Sequence, residues 1–232
     1  MRLTLPEPSK IITRNFRLVR LQAFNALRGG NHQTVDLGEP IWTCEIGTAA
    51  LDRAQAGAWR WLEGKLRGMA NTLMLWDSSH ARPLAYAATP DNASARIGVT
   101  TRRIGSSTRR SGSSFHAWGT PKIVAVDRAN ARIELALLKP FAVISEGDYG
   151  HWDDGPRRRL HVTGAAIADA QGRAIVSVEP PPPASGENLP TAFEMYRASG
   201  EFVVPKLAVQ HSALLSADAS LTAVQTLRKT HA

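Results

Sequence analysis

A single cysteine, Cys44, stands in a chain of 232 residues. One thiol cannot close an intrachain disulfide framework or supply the paired cysteines of a zinc finger, and it suits assembly in a reducing cytosol. Long apolar runs are missing too. No stretch of about 18 uninterrupted apolar residues is present to span a bilayer, and the start, Met1-Arg-Leu-Thr-Leu-Pro-Glu-Pro-Ser9, lacks the apolar core of a signal peptide. The expectation is a soluble, unexported chain. Acid is the scarcer sign of charge: 20 Asp and Glu stand against 28 Lys and Arg, for a net charge of +8 and a pI near 10.2. That excess implies affinity for something acidic, be it nucleic acid, a neighbouring subunit or an anionic surface.

The local signatures of catalysis are also absent. There is no G-x-S-x-G elbow, no phosphate-binding G-x-x-x-x-G-K-[ST] loop and no G-x-G-x-x-G turn. The histidines form no H-E-x-x-H or H-x-H pattern, so no metal site, cofactor or enzymatic activity is expected. Asp153 and Asp154 before Gly155 could in principle meet a cation, but a polar turn is the stronger reading.

What is present is ordinary globular material, 43% apolar and 21% charged, enough for one large domain or two small ones. Residues 11–27 mix apolar and basic side chains at short spacing and read as one strand with a basic face. Gly29-Gly30-Asn31 punctuates it, and Gln33–Ile46 alternates again, with a break at Pro40. The period then changes. Leu51, Ala54, Ala58, Leu62 and Leu66 recur at helical spacing, with Thr48 as the expected N-cap and Gly68 as the stop. Gly57 and Gly64 inside this helix suggest close packing against a sheet.

Thr72–Trp76 reads as a buried strand, and residues 96–120, rich in Gly, Ser, Thr and Arg, as extended chain with mobile turns. Short apolar runs follow from Lys122. Asp169-Ala-Gln-Gly172 suits a hairpin loop between Arg159–Ala168 and Arg173–Val178, and Pro180–Pro183 makes a stiff exit. Further strands are expected at Phe193–Arg197, Glu201–Val204 and Leu221–Leu227. Many short strands with one amphipathic helix, and no βαβ alternation, place the chain in the mainly β class.

One order of features carries a resemblance. Ile41-Trp42, then the helix with Trp61-Leu-Glu-Gly-Lys-Leu66-Arg67-Gly68, then Asn71-Thr-Leu-Met-Leu-Trp-Asp77 resembles the distal tail proteins of siphophages and prophages. Glu146-Gly-Asp148, Leu160-His-Val162, Asp169-Ala-Gln-Gly-Arg-Ala174 and Val178-Glu-Pro180 are similar to their second half. Tyr149-Gly-His151 departs from the aliphatic residue that follows the glycine-aspartate in that family.

The resemblance implies a tail-tube-like β-sandwich or barrel with one packed helix, residues 1–83 and 189–232, and a small β-barrel domain inserted at 84–188. It further implies a virion protein assembled in the host cytoplasm into a hexameric ring at the tail tip, joining tail tube protein to hub and baseplate proteins. The tape measure protein is a further implied partner, DNA would pass through the channel without specific binding, and no membrane is involved. Arg14, Arg17, Arg20, Arg28, Arg102, Arg103, Arg109 and Arg110 are the candidate contacts to acidic neighbours. Trp59 and Trp61, two apart on a helix, cannot share a face, so one is expected on the sheet and the other at a subunit interface. The alternative is a nucleic-acid-binding module, using the arginine loop with Phe115, His116 and Trp118; a more remote one is a carbohydrate-binding domain.

Overall fold

A computed structural model describes residues 1–6, 11–20, 22–26, 32–67, 69–86, 118–154, 157–182, 189, 191–211 and 217–226. In chain order the elements are β1 (Arg2–Leu3), β2 (Ile11–Val19), β3 (Gln22–Ala26), β4 (His32–Asp36), β5 (Ile41–Thr48), α1 (Arg53–Leu66) and β6 (Thr72–Trp76). Then come β7 (Gly119–Asp127), β8 (Arg132–Leu138), β9 (Val143–Ile144), β10 (Tyr149–Asp154), β11 (Arg157–Thr163), β12 (Ala166–Ile167), β13 (Ala174–Glu179) and β14 (Thr191–Ala192). β15 (Ser199–His211) and β16 (Ala217–Gln225) complete the chain. The protein is mainly β with one α-helix among its described residues.

Two compact units divide it, Met1–Ser78 with Ser199–Ala232, and Ser79–Ala198. Both boundaries drawn from sequence, at 84 and 188, fall inside the second unit.

The first unit is a six-stranded sheet in the order β1-β6-β15-β16-β5-β2, with β3 and β4 forming a separate hairpin. Alternation in β5 sends Trp42, Cys44, Ile46 and Thr48 to the buried face. α1 covers this sheet through Ala56, Trp59, Leu62 and Leu66, all buried. The N-cap is Asp52, not Thr48. Asp52 Oδ1 accepts from Gln55 N at 2.8 Å and Gln55 Oε1 accepts from Asp52 N at 3.1 Å, a reciprocal capping box. Thr48 cannot serve because it belongs to β5, where its Oγ1 accepts from Ala219 N at 2.9 Å. At the other end Arg67 adopts the left-handed conformation (φ 47°), and Asn71 Nδ2 donates to Lys65 O at 2.6 Å. Gly68, the expected stop, lies outside the described residues.

Residues 11–27 are not one strand, since β2 ends at Val19 and β3 pairs with β4. Nor do they share a basic face. Arg14 and Arg17 are three apart on a period of two, so they project to opposite sides of the sheet. Arg14 stands beside Ile46 on the side of Phe16 and Leu18, while Arg17 stands beside Thr43 on the other.

The second unit contains a six-stranded sheet, β10-β11-β13-β8-β7-β14. It is nearly closed into a barrel, because His151 of β10 and Glu194, just beyond β14, exchange backbone hydrogen bonds of 2.9 and 2.8 Å. Its interior is filled by Trp118, Ile123, Ile133, Leu135, Ile144, Trp152, Val176, Phe193 and Met195. The turn at Asp169–Gly172 is as expected: Asp169 Oδ1 accepts from Gln171 N and Arg173 N, both at 2.8 Å, and Gly172 takes a left-handed φ of 74°. The strand before it differs from expectation, since β12 turns aside to pair with β9 instead of β13. The strand expected at Phe193–Arg197 is not formed: β14 ends at Ala192, and only the isolated bridge at Glu194 falls within that range.

Candidate functional site

Strand register organises the surface of the first unit. On the side of its sheet away from α1, residues line up across four strands in rows: Lys206, Thr222, Glu45 and Asn15 in one, and Ala208, Ser220, Gly47 and Thr13 in the next. Val203, Val224, Thr43 and Arg17 form a third. Small hydroxyls and a few charges of both signs therefore cover a face whose reverse is apolar.

Among the described residues the sheet also has open edges. Among the described residues β2 is paired only with β5, leaving a nine-residue edge that carries exposed Ile12 and Arg17. At the opposite side β6 pairs with β15 only through Ser199–Phe202, and the rest of β15 runs on to His211 with β16 on one flank. Unpaired backbone N–H and C=O groups along such edges are ready to accept another strand.

Of the candidate arginines, Arg14 is half-buried and engaged within its own unit. Its Nη1 donates to Trp76 O at 2.7 Å and its guanidinium lies 5.3 Å from the Trp76 ring centroid. Burial lowers its pKa, an effect opposed by Cys44 and Asp77. Arg17 and Arg20 are exposed, Arg17 within β2 and Arg20 just past its end. Arg28, Arg102, Arg103, Arg109 and Arg110 lie outside the described residues, as do Phe115 and His116. Trp118, the third aromatic of that proposed groove, is buried in the barrel core.

The two helix tryptophans separate. Trp59 is 0% exposed under the sheet, and Trp61 is 59% exposed with Lys65 Nζ 5.5 Å from its ring centroid. Gly57 and Gly64 are on the outer side as well. A Cβ built at either meets nothing within 4 Å, so the sheet packing expected from these glycines is not their role.

Several other titratable groups are buried or engaged by neighbours. Cys44 is fully buried, and burial pushes its thiol up to about 12, leaving it protonated and unreactive. In the barrel, His161 stacks on Trp152 at 4.0 Å and 6°, with its Nδ1 2.8 Å from Pro180 O. Burial drives His161 down to about 3 and His151 to about 4, so both are neutral at ordinary pH. Asp148, also fully buried, accepts from Leu84 N at 2.6 Å and Ser145 N at 2.8 Å; burial raises its pKa and these two bonds oppose the rise. Asp153 is engaged by Arg158 across the β10–β11 pair, with bonds of 2.8 and 3.0 Å. Among the described residues no group of three or more His, Cys, Asp or Glu side chains could hold a metal ion, and no helix is long and apolar enough to cross a membrane.

The polar rows were not read from sequence, although Thr43 and Glu45 alternate with apolar residues in β5, and Ser220 and Thr222 do so in β16. Alternation shows that a strand has two faces; only register shows which polar residues of distant strands share one. No protein-family model matches the chain, and no curated protein matches its sequence.

Proposed function

We propose that this chain is a structural protein of a phage tail tip, of the distal tail type, whose first unit assembles into a ring around a DNA channel. The observation that supports this most is the first-unit sheet, polar on one face and, among the described residues, open at both edges. Strand addition between such edges is head-to-tail, and head-to-tail contacts close into a ring when the rotation per subunit fits. A lining of Thr, Ser and Asn with few charges offers a duplex no tight hold, which suits passage better than binding. The ring would be a hexamer, seated between tail tube protein and the hub and baseplate, with the tape measure protein within reach. The role is mechanical and not catalytic, and its place is the virion tail tip after assembly in the host cytoplasm.

The test is the mass of the purified protein by light scattering, followed by electron-microscopic class averages of the protein alone and of tail preparations. Sixfold rings with a central hole are expected, in solution or on tails. Absence from purified tails, together with tight salt-sensitive binding of DNA, overturns the reading in favour of a nucleic-acid-binding module.

A further inference from the structure

Helix α1 has a second patterned face. Opposite the buried Ala56, Trp59, Leu62 and Leu66, the exposed residues Ala54, Gly57, Trp61 and Gly64 follow one another at intervals of three, four and three. That is the a/d spacing of a helix-pairing seam, with Ala54 and Trp61 at a and Gly57 and Gly64 at d. The flanking g positions within the helix are Arg53 and Arg60, followed at the same interval by Arg67 at the left-handed C-cap, all three exposed, and the e positions are Ala58 and Lys65. One side of the seam is therefore a row of arginines at seven-residue intervals.

Among the described residues nothing packs on the two glycines of this face. The glycines weaken the helix relative to alanine, yet a Cβ at either position meets no atom within 4 Å. Between them stands a tryptophan that is 59% exposed. A glycine at a seam position lets a partner backbone come close or a large side chain enter, and exposed tryptophan and arginine are the residue types that anchor interfaces.

We infer that the outer face of α1 is a docking site for an acidic heptad-patterned helix of another protein. Its apolar side chains fill the spaces at Gly57 and Gly64 and pack on Trp61, while Glu or Asp on its flank meets Arg53, Arg60 and Arg67. Charge complementarity selects this occupant. A second copy of the same helix would bring cations against cations, because none of the e and g positions carries an acid. The docking is independent of ring closure, which uses the sheet edges, so ring assembly is scored separately.

The experiment titrates the full chain into a dye-labelled synthetic heptad peptide with Leu at a and d and Glu at e and g, followed by anisotropy, beside a counterpart with Lys at e and g. Binding of the acidic peptide alone is expected. The triple variant Arg53→Glu, Arg60→Glu, Arg67→Glu should exchange the preference, and Gly57→Leu with Gly64→Leu should weaken binding about tenfold or more while circular dichroism shows the helix intact. The milder pair Gly57→Ala and Gly64→Ala should raise Tm and still reduce affinity, a combination that a purely solvated helix face does not produce. Equal binding of both peptides, affinity untouched by the glycine variants, tighter binding of an oligothymidine than of the acidic peptide, or a dimer that dissociates on Trp61→Ala each overturns the inference.

Discussion

Trp59 and Trp61 are the same residue type two positions apart, and burial alone separates their roles. Trp59→Ala would empty a site with 0% exposure under the sheet, at a cost of about 3–5 kcal/mol. Trp61→Ala should stay within about 0.5 kcal/mol. Urea denaturation of the two variants checks both values. The barrel histidines offer a second prediction. His151 and His161 have folded pKa values near 4 and 3, below the unfolded value of about 6.5. The unfolded chain therefore takes up protons first. Stability from the two neutral histidines is fully present above pH ~6.5 and is lost as pH falls toward the folded values. Each should contribute a loss of about 2 kcal/mol between pH ~6.5 and ~5. Urea midpoints at the two pH values measure the sum, and His161→Phe, which keeps a ring against Trp152, should remove roughly half of the difference. An unchanged slope in that variant would mean that His161 does not titrate as its burial demands.

At the scale of the element, α1 combines a strong start with weak interior positions. Asp52→Ala breaks both bonds of the capping box and should cost about 1 kcal/mol. Gly57→Ala and Gly64→Ala work in the opposite direction. With open space around each added Cβ, each should stabilise by about 0.5–1 kcal/mol. Thermal unfolding of the three variants gives the signs directly. Gly150→Ala is the contrasting case, because its Cβ would collide with the Phe193 ring in the barrel interior. The edge strand β2 makes a different kind of statement. Among the described residues it is paired on one side only, which leaves its outer backbone groups open to another strand.

At the scale of the whole molecule, the second unit is an insertion between paired strands. The chain leaves after β6 and returns at β15, and Trp76 and Ser199 are direct partners in the first-unit sheet. Within the second unit the two ends also meet, Arg197 N donating to Ala81 O at 2.9 Å. Its core consists of its own residues. Residues 79–198 alone should therefore fold cooperatively, and a chain with that segment replaced by a short Gly-Ser linker should keep the first-unit sheet. Near-ultraviolet circular dichroism and thermal unfolding of the two pieces test this; a molten second unit would show that the first is needed to form it. The class of the fold, the helix around Leu51–Leu66, the strand Thr72–Trp76 and the Asp169–Gly172 turn were legible in the sequence, because periodicity and turn chemistry are local. The helix start was misplaced by four residues, from Asp52 to Thr48, since a threonine in a strand and a threonine at a cap look alike until its hydroxyl has a partner. The separate fates of Arg14 and Arg17 were decided by strand parity, the polar rows by register, and the outward aim of Gly57, Trp61 and Gly64 by which side of the helix the sheet occupies. The sequence by itself determined the elements, through interactions a few residues apart. The surfaces available to partners were decided only by tertiary structure, because a surface is made of residues that folding brings together from distant strands.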